Sequence, residues 1–224
     1  MVWMAGFHFA FDLDHFGFID QDFRDDPFWT LQRTAIVTLF LLCAGAGQAI
    51  ANAQGQPLGR FWKRWAQVAG CALLVSVASW SMFPASFISF GVLHGIAVML
   101  VIVRFTSSWG RALWPLGLLA IALPFFVQHP FFDSRWTNWV GLVTHLPVTE
   151  DYVPVLPWLG VMWWGAAAAG MLMRRSRGWL GSPVPAIVRP LTVLGRWSLS
   201  FYMLHQPLLI GLLTAVVALG GRPT

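Results

Sequence analysis

The sequence predicts an all-α membrane protein, a polytopic bundle of about seven transmembrane helices with a cytoplasmic N-terminus. Hydrophobic residues make up 57% of the chain and charged residues only 10%, whereas soluble domains carry about 25% charged residues. The apolar residues are gathered in stretches close to the ~20 residues that a spanning helix needs. The Lys and Arg residues lie between alternate stretches, which is typical of cytoplasmic loops.

The helices are predicted in chain order from these apolar stretches. The first stretch, residues 1–11, covers only ~16 Å of a ~30 Å hydrocarbon core. Because a helix that starts in mid-bilayer with a charged amino group is costly, we expect the given sequence to lack the true beginning of this helix. Six further spans are predicted at residues 34–53, 66–83, 87–105, 113–127, 155–173 and 194–219. We expect them to form one transmembrane domain, residues 1–224.

Charged residues set the predicted orientation of the bundle. Acidic residues mark the outer loops: Asp20, Asp22, Asp25, Asp26, Asp133, Glu150 and Asp151. Basic residues mark the cytoplasmic loops: Arg60, Lys63, Arg64, Arg104, Arg111, Arg174, Arg175, Arg177, Arg189 and Arg196. The C-terminus, with Arg222, is then outside, and the predicted location is the inner (cytoplasmic) membrane. Because the basic residues fall in short clusters between apolar runs, the net charge of +5 indicates membrane topology and excludes nucleic acid as a partner.

The first helix carries a polar stripe. His8, Asp12 and His15 are spaced four and three residues apart, so they share one helical face. Ionisable groups at membrane depth are expensive and usually face the bundle interior or a wet cavity. A histidine beside a carboxylate can act as a general base. Alternatively, Asp12 and His15 are interfacial and His8 bonds a backbone carbonyl.

Two further segments place polar groups near helix ends. In Ser89–Gly95, His94 is bracketed by Gly91 and Gly95, and glycine permits close approach of a ligand or another backbone. The segment from Glu150 to Trp158 leads an outer loop into a helix, with Asp151 and Tyr152 near the external mouth. Alternatively, the first segment is a packing motif around a hydrogen-bonded histidine, and the second is a stiff loop that caps the helix.

The last predicted helix carries His205 and Gln206 just before Pro207. A proline inside a helix frees a backbone carbonyl that polar side chains or water must satisfy. Bonding this carbonyl could be the only role of His205. Arg196, at the inner interface, could meet lipid headgroups or an anionic cofactor. Neither His-Glu-x-x-His nor Cys-x-x-Cys occurs, so no metal is expected.

Together these segments resemble the bacterial membrane family with a heparan-α-glucosaminide N-acetyltransferase catalytic domain. The resemblance runs from His8 to Pro207. Its motifs here are Phe7-His8-Phe9-Ala10-Phe11-Asp12-Leu13, Phe90-Gly91-Val92-Leu93-His94, Asp151-Tyr152 with Pro154, Pro157, Trp158 and Gly160, and Gly195-Arg196 with Ser198-Leu199, Tyr202 and His205-Gln206-Pro207. The Asp-x-x-Arg-Gly run with which that family opens is not present before His8.

The resemblance implies a membrane acyltransferase that moves an acetyl or other acyl group from cytoplasmic acyl-CoA to an amine or hydroxyl of a sugar or glycan outside. His8 would be the base, and Asp12 would orient it or bind the acceptor. Residues at the substrate site would be His94, Asp151, Tyr152, Trp158, His205 and Gln206. Arg60, Lys63, Arg64 and Arg196 lie where the CoA phosphates of acetyl-CoA would arrive, although topology alone also explains these basic residues.

Two other classes stay open. In a proton-coupled transporter, His8, Asp12 and His94 would form a proton relay, but the inverted repeat frequent in transporters is not visible. A non-catalytic membrane protein would not need polar residues at depth in several helices. The expected partners are membrane lipid and the glycan acceptor. A homo-oligomer is left open.

Overall fold

The computed structural model describes residues 1–23, 25–175 and 186–220, so Arg177 and Arg222 lie outside the described residues. The described residues form helices and no β-strand, apart from an isolated bridge between Phe90 and Tyr152. Eight α-helices lie within it: α1 Val2–His15, α2 Pro27–Ala53, α3 Leu58–Met82, α4 Val92–Thr106, α5 Leu113–Phe126, α6 Val155–Arg175, α7 Arg189–Arg196 and α8 Ser198–Ala218. Short 3₁₀ turns lie at Ser107–Ala112, Pro130–Asp133, Asn138–Val140 and Ala186–Val188.

The chain divides into two compact units. The terminal unit comprises Met1–Val37 and Ser182–Thr224, and the central unit comprises Thr38–Gly181. The helix α2 contributes to both. In the terminal unit α1 packs against α8. In the central unit the most extensive packing joins α5 to α6, and α4 packs on both α3 and α6.

The chain reverses direction between α4 and α5. Near the middle of α6, the indole nitrogen of Trp163 donates to the Thr106 hydroxyl at 2.9 Å, and that of Trp164 donates to the carbonyl of Trp114 at 3.1 Å. The start of α4 lies beside Val153, just before the first residue of α6. The helices α4 and α6 are therefore parallel, while α5 returns antiparallel to both. The reversal occurs where Gly110 adopts φ 60° and ψ −114°.

Small residues allow close contact between α2 and α6. A Cβ on Gly45 would collide with the carbonyl oxygen of Met162, and a Cβ on Gly165 would collide with the carbonyl oxygen of Leu42. By contrast, a Cβ on Gly47, two residues along α2, would meet nothing within 4 Å. Backbones approach this closely in membrane proteins where small residues occupy the helix interface.

Five helical segments of the described chain are long and apolar enough to cross a membrane: Pro27–Ala53, Leu58–Met82, Val92–Phe126, Val155–Arg175 and Ser198–Ala218. Together with the composition, these segments make the protein a multi-pass membrane protein. The segment Val92–Phe126 contains the reversal at Gly110, and α1, with 14 residues, is shorter than a spanning helix. The count of seven spans and the cytoplasmic N-terminus remain predictions.

Four predicted helix starts differ from the structure. The last span, predicted from residue 194, begins as α8 at Ser198, after the separate helix α7. The helices α2 and α3 begin at Pro27 and Leu58, before the predicted 34 and 66, because a helix satisfies its own backbone beyond the apolar core. The basic residues predicted for a loop therefore lie in the first turns of α3: Arg60, Lys63 and Arg64. The start of α4 is later than the predicted 87, since residues 86–90 pair with the loop between α5 and α6 instead.

Candidate functional site

The centre of the terminal unit holds a hydrogen-bonded pair of polar side chains from its two packed helices. The side-chain nitrogen of Gln206 in α8 donates to Asp12 Oδ1 in α1 at 2.7 Å. Only 3% of Asp12 is exposed, so its carboxyl group is not at a solvated interface in this structure. Asp12 therefore faces α8, as expected for a costly polar group in an apolar helix, whereas His15 of the same stripe is exposed.

The hydrogen bond of His205 defines its tautomer. Its Nδ1 lies 2.8 Å from the carbonyl oxygen of Tyr202. Because a carbonyl can only accept, Nδ1 carries the hydrogen, and the neutral ring then holds its lone pair on Nε2. Pro207 removes the donor for the carbonyl of Met203, so His205 satisfies the neighbouring carbonyl and not the one that the proline frees.

His8 faces His205 across the two helices. Their ring centroids are 5.1 Å apart, with the planes inclined at 56°. Phe7 lies edge-on to His8 on one side, and Phe201 stacks on His205 at 5.8 Å. Both imidazoles are thus held by aromatic neighbours, which limits their rotation without adding hydrogen bonds.

Three buried polar atoms in this cluster have no hydrogen-bond partner within the described residues: Asp12 Oδ2, His205 Nε2 and Gln206 Oε1. All three are acceptors in the arrangement described above. Buried polar atoms are normally paired, because leaving them unpaired costs ~1–3 kcal/mol each. The cluster therefore calls for a species that donates several hydrogen bonds, such as an amine, a hydroxyl group or water. Together with His8, whose ring faces His205, these residues form what we call the acceptor cluster, after its hydrogen-bond acceptors: His8, Asp12, His205 and Gln206.

In the central unit, Asp151 caps helix α4. Its Oδ2 accepts from the backbone N–H of Val92 at 2.7 Å, where the helix dipole favours a carboxylate. Gly91 is needed beside it, since a Cβ there would collide with the same carboxylate. The adjoining Glu150 accepts from the Ser86 hydroxyl at 2.5 Å. These bonds fix the loop between α5 and α6 along the segment that precedes α4.

His94 is integrated into the same helix start. Its Nδ1 accepts from the backbone N–H of Gly91 at 3.3 Å, so the hydrogen of the neutral ring is on Nε2. That nitrogen lies 3.1 Å from the Ser76 hydroxyl oxygen in α3, and Ser76 in turn donates to the carbonyl of Ile88 at 2.6 Å. Both ring nitrogens thus take part in hydrogen bonds within the protein, and the substrate-binding role of His94 remains a prediction.

Tyr152 and Asp133 stabilise the loop between α5 and α6. The Tyr152 hydroxyl donates to the carbonyl of Asn138 at 2.7 Å, and burial raises the pKa of this hydroxyl to about 12. Asp133 accepts from the hydroxyl and the backbone N–H of Thr144, each at 2.7 Å. The hydroxyl bond, followed by the backbone bond and the nearby His145, holds the pKa of Asp133 below its usual value.

The other predicted site residues lie apart from these bonds. In the central unit, exposed basic side chains occupy the first two turns of α3: Arg60, Lys63 and Arg64. Trp158 is half-buried in the first turns of α6. In the terminal unit, Arg196 is exposed at the end of α7. The described residues contain no group of three or more His, Cys, Asp and Glu side chains arranged for a metal ion.

Sequence reasoning missed the partners of the predicted residues. Ser76 and Asn138 belong to no motif and stand alone in apolar or loop sequence. Asn138 is only 1% exposed, which the spacing of residues does not reveal. One missed signal was readable: Asp26 before Pro27 is a helix-start pattern, and Asp26 does accept from the backbone N–H of Phe28 at 2.7 Å.

Comparison with known proteins adds the family to this geometry. Neither the comparison with curated proteins nor that with solved structures finds a match. The family model described as "Heparan-alpha-glucosaminide N-acetyltransferase, catalytic" matches residues 1–207. That range includes α1 and His205 and Gln206 of α8, so it contains the whole acceptor cluster. The chain therefore belongs to the heparan-alpha-glucosaminide N-acetyltransferase catalytic-domain family, a family of membrane acyltransferases.

Proposed function

We propose that the protein transfers an acetyl or other acyl group from acyl-CoA to an amine or hydroxyl of a sugar or glycan, using the acceptor cluster. The observation that carries this proposal is the set of three buried hydrogen-bond acceptors on Asp12, His205 and Gln206. An amine or a hydroxyl is a hydrogen-bond donor and matches such a set. Membership of an acyltransferase family supplies the reaction class.

In the proposed reaction His8 is the general base. The acceptor nitrogen or oxygen attacks the acyl carbonyl carbon, a C–N or C–O bond forms, and the C–S bond of the thioester breaks. The acceptor proton passes to the base, and the CoA sulfur leaves as a thiolate. Asp12 and the Nε2 lone pair of His205 hold the acceptor by accepting hydrogen bonds from the second N–H of an amine or from neighbouring hydroxyl groups of the sugar, and Gln206 positions Asp12 through the 2.7 Å bond. General-base catalysis contributes typically ~10²–10⁴-fold to the rate.

The donor would be bound through its phosphates by basic side chains. Arg60, Lys63 and Arg64 are exposed at the start of α3, where phosphate oxygens can receive charge-assisted hydrogen bonds. Arg196 is proposed for the same role. We propose that these residues face the cytoplasm of the inner membrane and that the acceptor arrives from outside. Substrate-binding roles are also proposed for His94, Asp151, Tyr152 and Trp158.

The test is acyl transfer by the purified chain in lipid nanodiscs. Radiolabelled acetyl-CoA is supplied with a panel of amino sugars and glycans, and label transfer is compared for the wild type, His8→Ala and His205→Ala. The matched control is His145→Ala, which removes from the loop between α5 and α6 a histidine whose side chain is 73% exposed. We expect transfer by the wild type and the control and its loss in both cluster variants.

Other outcomes separate the alternatives. Transfer that is equal in His8→Ala and the wild type would overturn the role of the acceptor cluster. A folded wild type that transfers no label to any acceptor, but acidifies or alkalises the lumen of proteoliposomes in a His8-dependent manner, would favour the proton-coupled transporter instead.

A further inference from the structure

Arg104 lies at the end of α4 and is held rigidly in the central unit. Its Nη2 donates to the carbonyl of Gln56, in the turn between α2 and α3, at 2.6 Å. Its guanidinium carbon lies 5.3 Å from the centre of the Phe61 ring in the first turn of α3. The side chain of Asn52 donates to the carbonyl of Arg104 at 2.8 Å. The Asn52 bond holds the backbone of Arg104, whereas the Gln56 bond and the Phe61 contact hold its guanidinium group before any ligand binds.

One edge of this guanidinium is left without an acceptor. Nη1 of Arg104 is buried and has no hydrogen-bond partner in the described part of the chain. An unpaired buried donor on a charged group is more costly than on a neutral one. A fold normally avoids that cost, so the unpaired edge points to an anionic ligand.

The central unit provides no carboxylate for this edge. Its acidic residues are Asp133, Glu150 and Asp151, all of the loop between α5 and α6. Asp151 caps Val92 at the start of α4, and Arg104 follows twelve residues later, about 18 Å along the helix. The pair His145–Asp133 is the ion pair found within the described residues. Within the central unit, Arg104 therefore has no carboxylate as its counter-ion.

We propose that Arg104 is a phosphate-binding residue whose Nη1 edge takes an oxygen of a phosphate group, carried by acyl-CoA or by an anionic lipid headgroup. Guanidinium groups suit phosphate because their N–H groups are planar and always charged. The first two turns of α3 carry Arg60 and Lys63, before and after Phe61 in the sequence, which adds positive charge to this part of the unit. The acyl-CoA source rests on the proposed function, whereas the phosphate chemistry of Arg104 does not.

The experiment compares Arg104→Gln with Arg111→Gln, a matched control that removes an exposed arginine from the adjacent 3₁₀ turn. In the first arm, CoA binding is titrated calorimetrically in phosphatidylcholine nanodiscs. In the second, the rise in unfolding temperature on adding phosphatidylglycerol is measured. Size-exclusion profiles confirm that each variant is folded. Arg104→Lys, which keeps the charge and loses the planar fork, is measured alongside.

A CoA affinity that falls about 10- to 100-fold in Arg104→Gln but not in Arg111→Gln would establish the nucleotide phosphate as the ligand. A phosphatidylglycerol effect lost only in Arg104→Gln would establish the lipid phosphate. Behaviour equal to the control in both arms overturns the proposal. If Arg104→Gln does not fold, Arg104→Lys decides, and wild-type behaviour in both arms overturns it. Neither arm requires turnover, so absent acyl transfer would count against the proposed function alone.

Discussion

Removing the hydrogen bond between Asp12 and Gln206 should lower the free energy of unfolding by an amount that follows from its length and burial. The bond is 2.7 Å long, and the carboxyl group that accepts it belongs to a residue only 3% exposed. Hydrogen bonds to charged groups contribute ~1.5–3 kcal/mol. We therefore expect a coupling energy of about 1.5–3 kcal/mol between Asp12→Leu and Gln206→Leu in a double-mutant cycle.

The assay is the free energy of unfolding from SDS titration in mixed micelles, for the wild type, each single variant and the double variant. The same cycle on Trp3→Phe and Gln32→Leu is the internal control, because that pair also joins α1 to another helix of the terminal unit. Its bond is 2.9 Å long and exposed, so we expect ~0.5–1 kcal/mol at most. A coupling for Asp12 and Gln206 no larger than the control value would refute a buried polar connection in this unit.

Three further predictions concern the central unit. Gly45→Ala should destabilise the protein by ~1–3 kcal/mol, because its Cβ would collide with a backbone carbonyl of α6, whereas Gly47→Ala should be neutral or stabilising in the same thermal unfolding assay. Tyr152→Phe should cost ~0.5–1.5 kcal/mol through its lost hydroxyl bond, and an unchanged melting temperature would contradict this. Because the hydroxyl of Thr144 lowers the pKa of Asp133, the loop between α5 and α6 is stabilised above the unfolded-state pKa and loses that stability as pH falls through the folded pKa. The protection of the loop amides, measured against their intrinsic exchange rates, should therefore fall on acidification below about pH 4, and this fall should be absent in Asp133→Asn.

The helices were predictable because apolar length carries most of the signal in a membrane protein. All six stretches after the first coincide with helices in the structure, including the separate α4 and α5. Their ends were less predictable, since a helix pairs its own backbone groups whether or not the side chains are apolar. The start of α4 also depends on residues 149–153, which are distant in sequence, and no local pattern encodes that pairing.

The candidate site was predictable in its members and not in its geometry. The spacing of His8 and Asp12 places them on one face of a helix, but spacing within α1 cannot show that Gln206 lies against that face. The tautomer of His205 follows from a bond to the carbonyl of Tyr202, whereas Pro207 indicated only the carbonyl of Met203. Arg104 showed only a topology signal in the sequence, because an unpaired guanidinium edge is a property of the folded surroundings.

The most direct test of the central claim is single-turnover acyl transfer at saturating acetyl-CoA and acceptor, for the wild type and His8→Ala. Saturation removes differences in binding, so the rate reports the chemical step. If His8 is the base within the acceptor cluster, its loss should slow this step by ~10²-fold or more while CoA affinity stays unchanged. A single-turnover rate in His8→Ala equal to that of the wild type would contradict the account.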